Sequence, residues 1–159
     1  MNNKIKLFLA SITLILGCQF VGPNTPAQTL VAAQCHSPER WHNQIVGDGH
    51  CVALIKSCTN LGLTHDWRKG ANLYDQQGGR IVAEHQAEIL PGSVIATFAN
   101  GRYPSESGYH AAIYIRHDND GLWVWDQFKG KAVSQRFIRV RSDHAEPGNT
   151  AQAYALVLP

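Results

Sequence analysis

The stretch Gly47-Asp48-Gly49-His50-Cys51-Val52-Ala53-Leu54-Ile55-Lys56-Ser57-Cys58-Thr59-Asn60-Leu61 joins a turn to a short apolar run. Leu54, Cys58 and Leu61 recur at i, i+4 and i+7, with Val52 and Ile55 alongside, and Gly62 supplies a stop. This pattern predicts a short buried helix beginning at Cys51. A thiol at that place meets the orphan N–H groups and the positive end of the helix dipole, both of which favour its anion. A lone cysteine is more often a small buried apolar side chain, so the rest of the chain has to decide.

Downstream of the helix lie a polar stretch with Trp67 and Gly70, a Gly78-Gly79 break, and Pro91-Gly92 opening the run Ser93 to Phe98. His110 to Ile115 and Leu122 to Gln127 flank a polar turn and predict a hairpin. Further strands are expected at Ser134 to Val140 and Tyr154 to Leu158. One helix followed by about five antiparallel strands is an α+β pattern, with the helix N-terminus packed on the sheet. If Ile115 faces Gly121 across the turn, His110 faces Asp126, and directly opposed residues share one face of the sheet. A carboxylate on one ring nitrogen fixes the imidazole tautomer and frees the other nitrogen to take a proton from a nucleophile. The alternative is a satisfied polar pair. Cys51, His110 and Asp126 together point to acyl transfer from an amide. The Cys51 backbone N–H and a polar side chain close by, His50 being next to it, are the candidates for stabilising the oxyanion.

Lys plus Arg number 14 against 12 Asp plus Glu, and without Lys4 and Lys6 the balance is 12 against 12. That balance gives no support to charge-driven nucleic-acid binding. The 44% apolar content suffices for one core in a chain of 159 residues. Residues 1 to 33 read as a signal segment: basic Met1 to Lys6, the apolar run Leu7 to Gly17, then a Pro, Thr and Gln stretch. The domain proper is expected over 34 to 159. Ile15-Leu16-Gly17-Cys18 offers a lipoprotein cleavage box, with a lipid anchor on Cys18, and Val31-Ala32-Ala33 an ordinary signal-peptidase site. Export to the periplasm, anchored or free, or secretion follows from either.

Cys51 and Cys58 on one helix stand about 10 Å apart, beyond the roughly 7 Å reach of a disulfide. Cys35 and Cys58 are then the pair expected in an oxidising compartment, leaving Cys51 free. No zinc spacing accompanies His50, Cys51 and His110, so neither metal nor cofactor is expected. His36, His42, His65, His85, His117 and His144 read as solvated or capping residues, and Trp123 and Trp125, on one strand face, as core. Trp41 and Trp67 fit core or groove wall equally.

Four blocks, Gly47 to Leu54, Ala96 to Pro104, His110 to Tyr114 and Trp123 to Gln127, resemble the second family of type VI secretion amidase effectors. That family is similar to the wider papain-like group of NlpC/P60 and CHAP cysteine amidases that cut bacterial peptidoglycan. The resemblance implies Cys51 as nucleophile, His110 as general base, Asp126 as its orienting acid, and the D-alanine to meso-diaminopimelate cross-link as the bond cut. It also implies a cognate immunity protein as a possible partner. Two departures stand out. His50 replaces the Gln that usually precedes the nucleophile, and a signal segment is present where injected effectors normally carry none, which resembles the domesticated homologues that act outside their own cell or in the periplasm. Arg102 and Tyr103, in the loop leading towards His110, are the candidate substrate-binding residues, since a guanidinium suits the free carboxylates of a stem peptide. Their alternative is a solvated charge beside a ring resting on Pro104. Two other functions remain compatible: a papain-fold acyltransferase using the same thiol, and a catalytically silent cell-wall-binding lipoprotein.

Overall fold

The structure, a computed structural model, describes residues 32–143 and 145–159. The expected signal segment lies outside the described residues except for Ala32 and Ala33, as do Cys18 and His144. Ala32 is buried, and the Ala33 carbonyl accepts a hydrogen bond from Val94 N–H at 2.8 Å, so these two residues, set outside the domain by the sequence reading, pack onto it. Among the described residues no helix is long and apolar enough to cross a membrane.

The helix α1 spans Cys51–Cys58. Eight strands follow: β1 (Arg68–Asn72), β2 (Tyr74–Gln77), β3 (Arg80–Ala83), β4 (Val94–Thr97), β5 (Ala111–His117), β6 (Gly121–Phe128), β7 (Lys131–Arg139) and β8 (Tyr154–Leu158). Six of them form one antiparallel sheet in the order β1-β8-β4-β5-β6-β7, and β2 and β3 pair separately. The fold is α+β and papain-like, with six main-sheet strands where about five were expected. β1 escaped the sequence reading because Arg68-Lys69-Gly70-Ala71-Asn72 has no alternating large apolar residues; it is an edge strand whose strand partner is β8, with one further bridge from Arg68 to Arg102. The Gly78-Gly79 break is the two-residue turn of the β2–β3 hairpin, with Gln77 facing Arg80.

Two cores lie on the two faces of the sheet. One packs Leu54 and Ile55 of α1 against Val94, Ala96, Ala111, Ile113 and Val157; the other gathers Leu73, Ile95, Ala112, Tyr114, Leu122, Val124, Tyr154 and Leu156. Leu54 and Ile55 are fully buried, worth about 1.5–3 kcal/mol each in transfer free energy. Eight helical residues cover about 12 Å, far less than the strands beneath them, so part of that sheet face stays open. That is why Trp123 and Trp125 are half-buried: Trp125 packs at the margin of the α1-side core with His42 edge-on, and Trp123 lies tilted against Phe137. Trp67 is core, and Trp41 is half-buried beneath Arg40. His117 is buried, bonded to the Tyr114 hydroxyl and the Glu84 carbonyl, and so is no solvated residue.

The helix ends at Cys58, short of Gly62. The Ser57 and Thr59 hydroxyls donate to the Leu54 and Ile55 carbonyls, Thr59 turns extended, and Cys58 is joined to Cys35 in a disulfide with Cα atoms 5.0 Å apart.

Candidate active site

The turn before α1 places the thiol. Gly47 has φ 58° and its position leaves no room for a side chain, since a Cβ there would sit 2.9 Å from that of Ala53. Asp48 Oδ1 accepts the His50 N–H at 3.0 Å, and the His50 carbonyl accepts the Ala53 N–H at 3.0 Å, which starts the helix at Cys51. Cys51 is the free cysteine among the described residues and is half-buried.

His110 stands immediately before β5. Its backbone is held on both sides by Thr97, whose hydroxyl accepts the His110 N–H at 2.9 Å and whose N–H donates to the His110 carbonyl at 3.0 Å. The imidazole Nε2 lies 2.9 Å from Asp126 Oδ2, which leaves Nδ1 for Cys51. The expected register was not the one adopted: Ile113 faces Trp125, which sets Ala112 opposite Asp126. His110 therefore reaches Asp126 diagonally, still on the same face, a span that a long side chain bridges.

Arg136, on β7, donates from Nε to the same Asp126 oxygen at 2.7 Å and from its two terminal nitrogens to Asn149 Oδ1 and the Gly148 carbonyl, each at 3.3 Å. Asp126 is 1% exposed, so the hydrogen bonds from these partners offset the cost of burying it. The sequence reading missed Arg136, although alternation along Ser134 to Val140 could have put it on the face of Asp126. Gln127 was missed too: wholly buried, it hydrogen-bonds the turn that delivers Cys51.

Burial pushes the Cys51 thiol up, but the His110 imidazole, the Tyr103 hydroxyl and the Ala111 N–H outweigh it and bring the thiol down to about 7. Burial likewise pushes His110 down, and the Asp126 carboxylate with the Cys51 sulfur overcomes this, holding the imidazole at about 9. The two shifts run in opposite directions and both favour the charged forms, a thiolate beside an imidazolium. Tyr103 Oη lies 3.5 Å from Cys51 Sγ, its ring backed by Trp67 at 5.2 Å between centroids. Burial and the neighbouring sulfur raise its hydroxyl well above the usual tyrosine range, so it stays a donor.

An open cleft of about 840 Å³ reaches Cys51, His110 and Tyr103 and is bordered by His50, Lys56, Lys129, Glu106 and Glu146 among others. Arg102, expected to border it, does not line it; its guanidinium is exposed and donates to the His65 carbonyl at 3.2 Å. The loop reverses at Asn100 and Gly101, both with positive φ, and consecutive residues Arg102 and Tyr103 then point in different directions. His50 lines the cleft, but its described hydrogen bonds run through its backbone. Among the described residues no three His, Cys, Asp or Glu side chains are grouped to hold a metal ion.

The family described as Domesticated amidase effector 2 matches residues 25–156 of this chain. The chain is 39% identical over 126 residues to a Type VI secretion amidase effector 2 protein of Salmonella typhi, covering 70% of this chain and 87% of that protein. It is 32% identical over 146 residues to Domesticated amidase effector 2 of Ixodes scapularis, covering 85% of this chain and 87% of the relative. The solved structure of a Type 6 secretion amidase effector 2 superposes with a TM-score of 0.60 at 36% identity, over 77% of this chain and 92% of the other. On these matches and on the papain-like arrangement of helix and sheet, the protein belongs to the amidase effector 2 family.

Proposed function

We propose that this protein is a peptidoglycan amidase in which Cys51 attacks the amide, His110 shuttles the proton and Asp126 orients His110. The observation that carries the reading is the linked chain of Cys51 Sγ, the His110 imidazole and Asp126, in which Cys51 and His110 line an open cleft and Asp126 is buried behind His110. The thiolate adds to the carbonyl carbon, and the Cys51 N–H with the protonated Tyr103 hydroxyl, more than the His50 side chain, supports the resulting oxyanion. His110 then protonates the departing amine, leaving a thioester on Cys51. Water, deprotonated by the now neutral His110, releases the acid and restores the thiolate.

Charges of both signs border the cleft, Lys56, Lys129 and Arg136 with Glu106 and Glu146. That mixture suits a stem peptide bearing free carboxylates and an amine, and the cross-link between D-alanine and meso-diaminopimelate is the bond proposed. The Cys35–Cys58 disulfide supports action outside the reducing cytoplasm. Digestion of purified sacculi by wild type and Cys51→Ala, with fragments identified by mass, tests the reading. New amine and carboxyl termini at the cross-link with wild type alone are expected. Equal digestion by the variant would overturn the mechanism, and transfer of the acyl group to an added amine with no hydrolysis would reassign the enzyme as an acyltransferase.

A further inference from the structure

Asp126 and Gln127 are consecutive on β6, and strand alternation sends their side chains to opposite faces of the sheet. Asp126 takes the face of His110, and Gln127 takes the face of α1. Pairing with β7 is irregular between Asp126 and Phe128, a place where a bulge re-aims a side chain. Gln127 is wholly buried and spends its amide on the turn before the nucleophile. Its Oε1 accepts the Val46 N–H at 2.9 Å, and its Nε2 donates to the Val46 carbonyl at 2.8 Å and the His50 carbonyl at 2.9 Å. His50 is the residue that caps α1, so the last of these bonds acts one residue away from the thiol.

We propose that Gln127 is a positioning residue for the nucleophile, holding the 46–50 turn so that Cys51 stays within reach of His110 and Tyr103. The inference rests on the reading of Cys51 as nucleophile and adds to it the device that sets the sulfur. One N–H and two carbonyls of the turn face this side chain, and a primary amide is the side chain that offers an acceptor and two donors at once. A glutamate of the same shape keeps the acceptor but turns a carboxylate on two carbonyls, and a methionine of similar length keeps none of the bonds. Two neighbouring residues of one strand thus hold the two halves of the ion pair from opposite sides.

The test compares Gln127→Met, Gln127→Glu, Cys51→Ala and wild type as full chains with folding verified by circular dichroism. Turnover of cross-linked peptidoglycan fragments is measured beside the pH dependence of iodoacetamide alkylation, with the label located on Cys51 by peptide mapping. In both Gln127 variants kcat is expected to fall by about tenfold or more with KM nearly unchanged, because a small displacement of reacting groups is costly. The midpoint of alkylation should move up by about one pH unit towards that of an ordinary thiol. A folded Gln127→Met with wild-type kcat and alkylation midpoint overturns the proposal. If that variant does not fold, Gln127→Glu decides by the same two readings, and failure of both to fold assigns Gln127 a structural role and withdraws it. Wild-type turnover in Cys51→Ala would instead overturn the nucleophile, whatever the Gln127 variants do.

Discussion

Asp126 and His110 meet diagonally across two strands: the carboxylate oxygen lies 2.9 Å from Nε2, while the register sets Ala112 opposite Asp126. The diagonal leaves Asp126 room for a second cation, and Arg136 fills it at 2.7 Å. One buried carboxylate is therefore shared by His110 and Arg136, which also holds the carbonyl of Gly148.

Replacing Asp126 by Asn keeps an acceptor for the ring N–H but removes the charge that helps hold His110 at about 9. His110 should then titrate lower and the thiolate lose part of its counter-charge. We expect kcat/KM to drop by about tenfold to a hundredfold, a loss of roughly 1.5–3 kcal/mol for a charge-assisted hydrogen bond. Cys51→Ala should lose more. Kinetics on soluble cross-linked fragments check the order, and an equal or greater loss in Asp126→Asn would contradict it.

The pH profile follows from the two titrations. The thiolate forms as pH rises through about 7, and the imidazolium that in the proposed mechanism protonates the leaving amine is lost as pH rises through about 9. Activity should therefore be bell-shaped, low on the acid side, highest between the two values and falling on the alkaline side. The two limbs belong to the coupled pair and not to either residue alone. In Asp126→Asn the alkaline limb should move to lower pH. An alkaline limb that stays in place would show that the carboxylate does not set it.

Gly148 sits close against His110. A Cβ there would lie 2.9 Å from the His110 Cβ and 3.1 Å from the Gly108 carbonyl oxygen. Gly148→Ala must push the 146–149 loop off His110 or push His110 off its partners, at a cost of about 1–3 kcal/mol as overpacking. Activity should fall by at least about tenfold, with the loss traceable to kcat. Wild-type kcat in a folded variant would show that the loop yields freely.

The Cys35–Cys58 disulfide closes a span of 23 residues that contains Cys51. In the chain-entropy view it should contribute about 3 kcal/mol. Cys35→Ala with Cys58→Ala should lower the unfolding free energy extrapolated from urea titration by that amount while folded protein keeps its Cys51 reactivity. A shift below about 0.5 kcal/mol would mean that packing of α1 on the sheet already fixes the segment.

Much of the scaffold could be read directly from local chemistry. The start of α1 at Cys51 follows from a glycine turn meeting a helical apolar period, and β8 spans the residues expected of it, because an alternating or continuous apolar run needs no partner to be recognised. The Cys35–Cys58 pairing followed from the spacing of Cys51 and Cys58. The edge strand β1 could not be read this way, having no alternating large apolar residues and being held by its neighbour.

The site itself was decided in three dimensions. His117 faces Leu122 and Arg116 faces Trp123 at the turn, a register that, carried unbroken, would put Gln127 on the face of His110 and turn Asp126 away. An extra residue between Tyr114 and Arg116 shifts the pairing by one, and the rest of β6 follows with Ile113 facing Trp125. Sequence supplied a His, an acid and an amide at workable spacing. The bulge put Asp126 on the face of His110 and Gln127 on the face of α1, because a one-residue shift in a structure of period two exchanges every side chain between faces, and nothing in the local pattern of residues 114 to 116 announces where that shift falls.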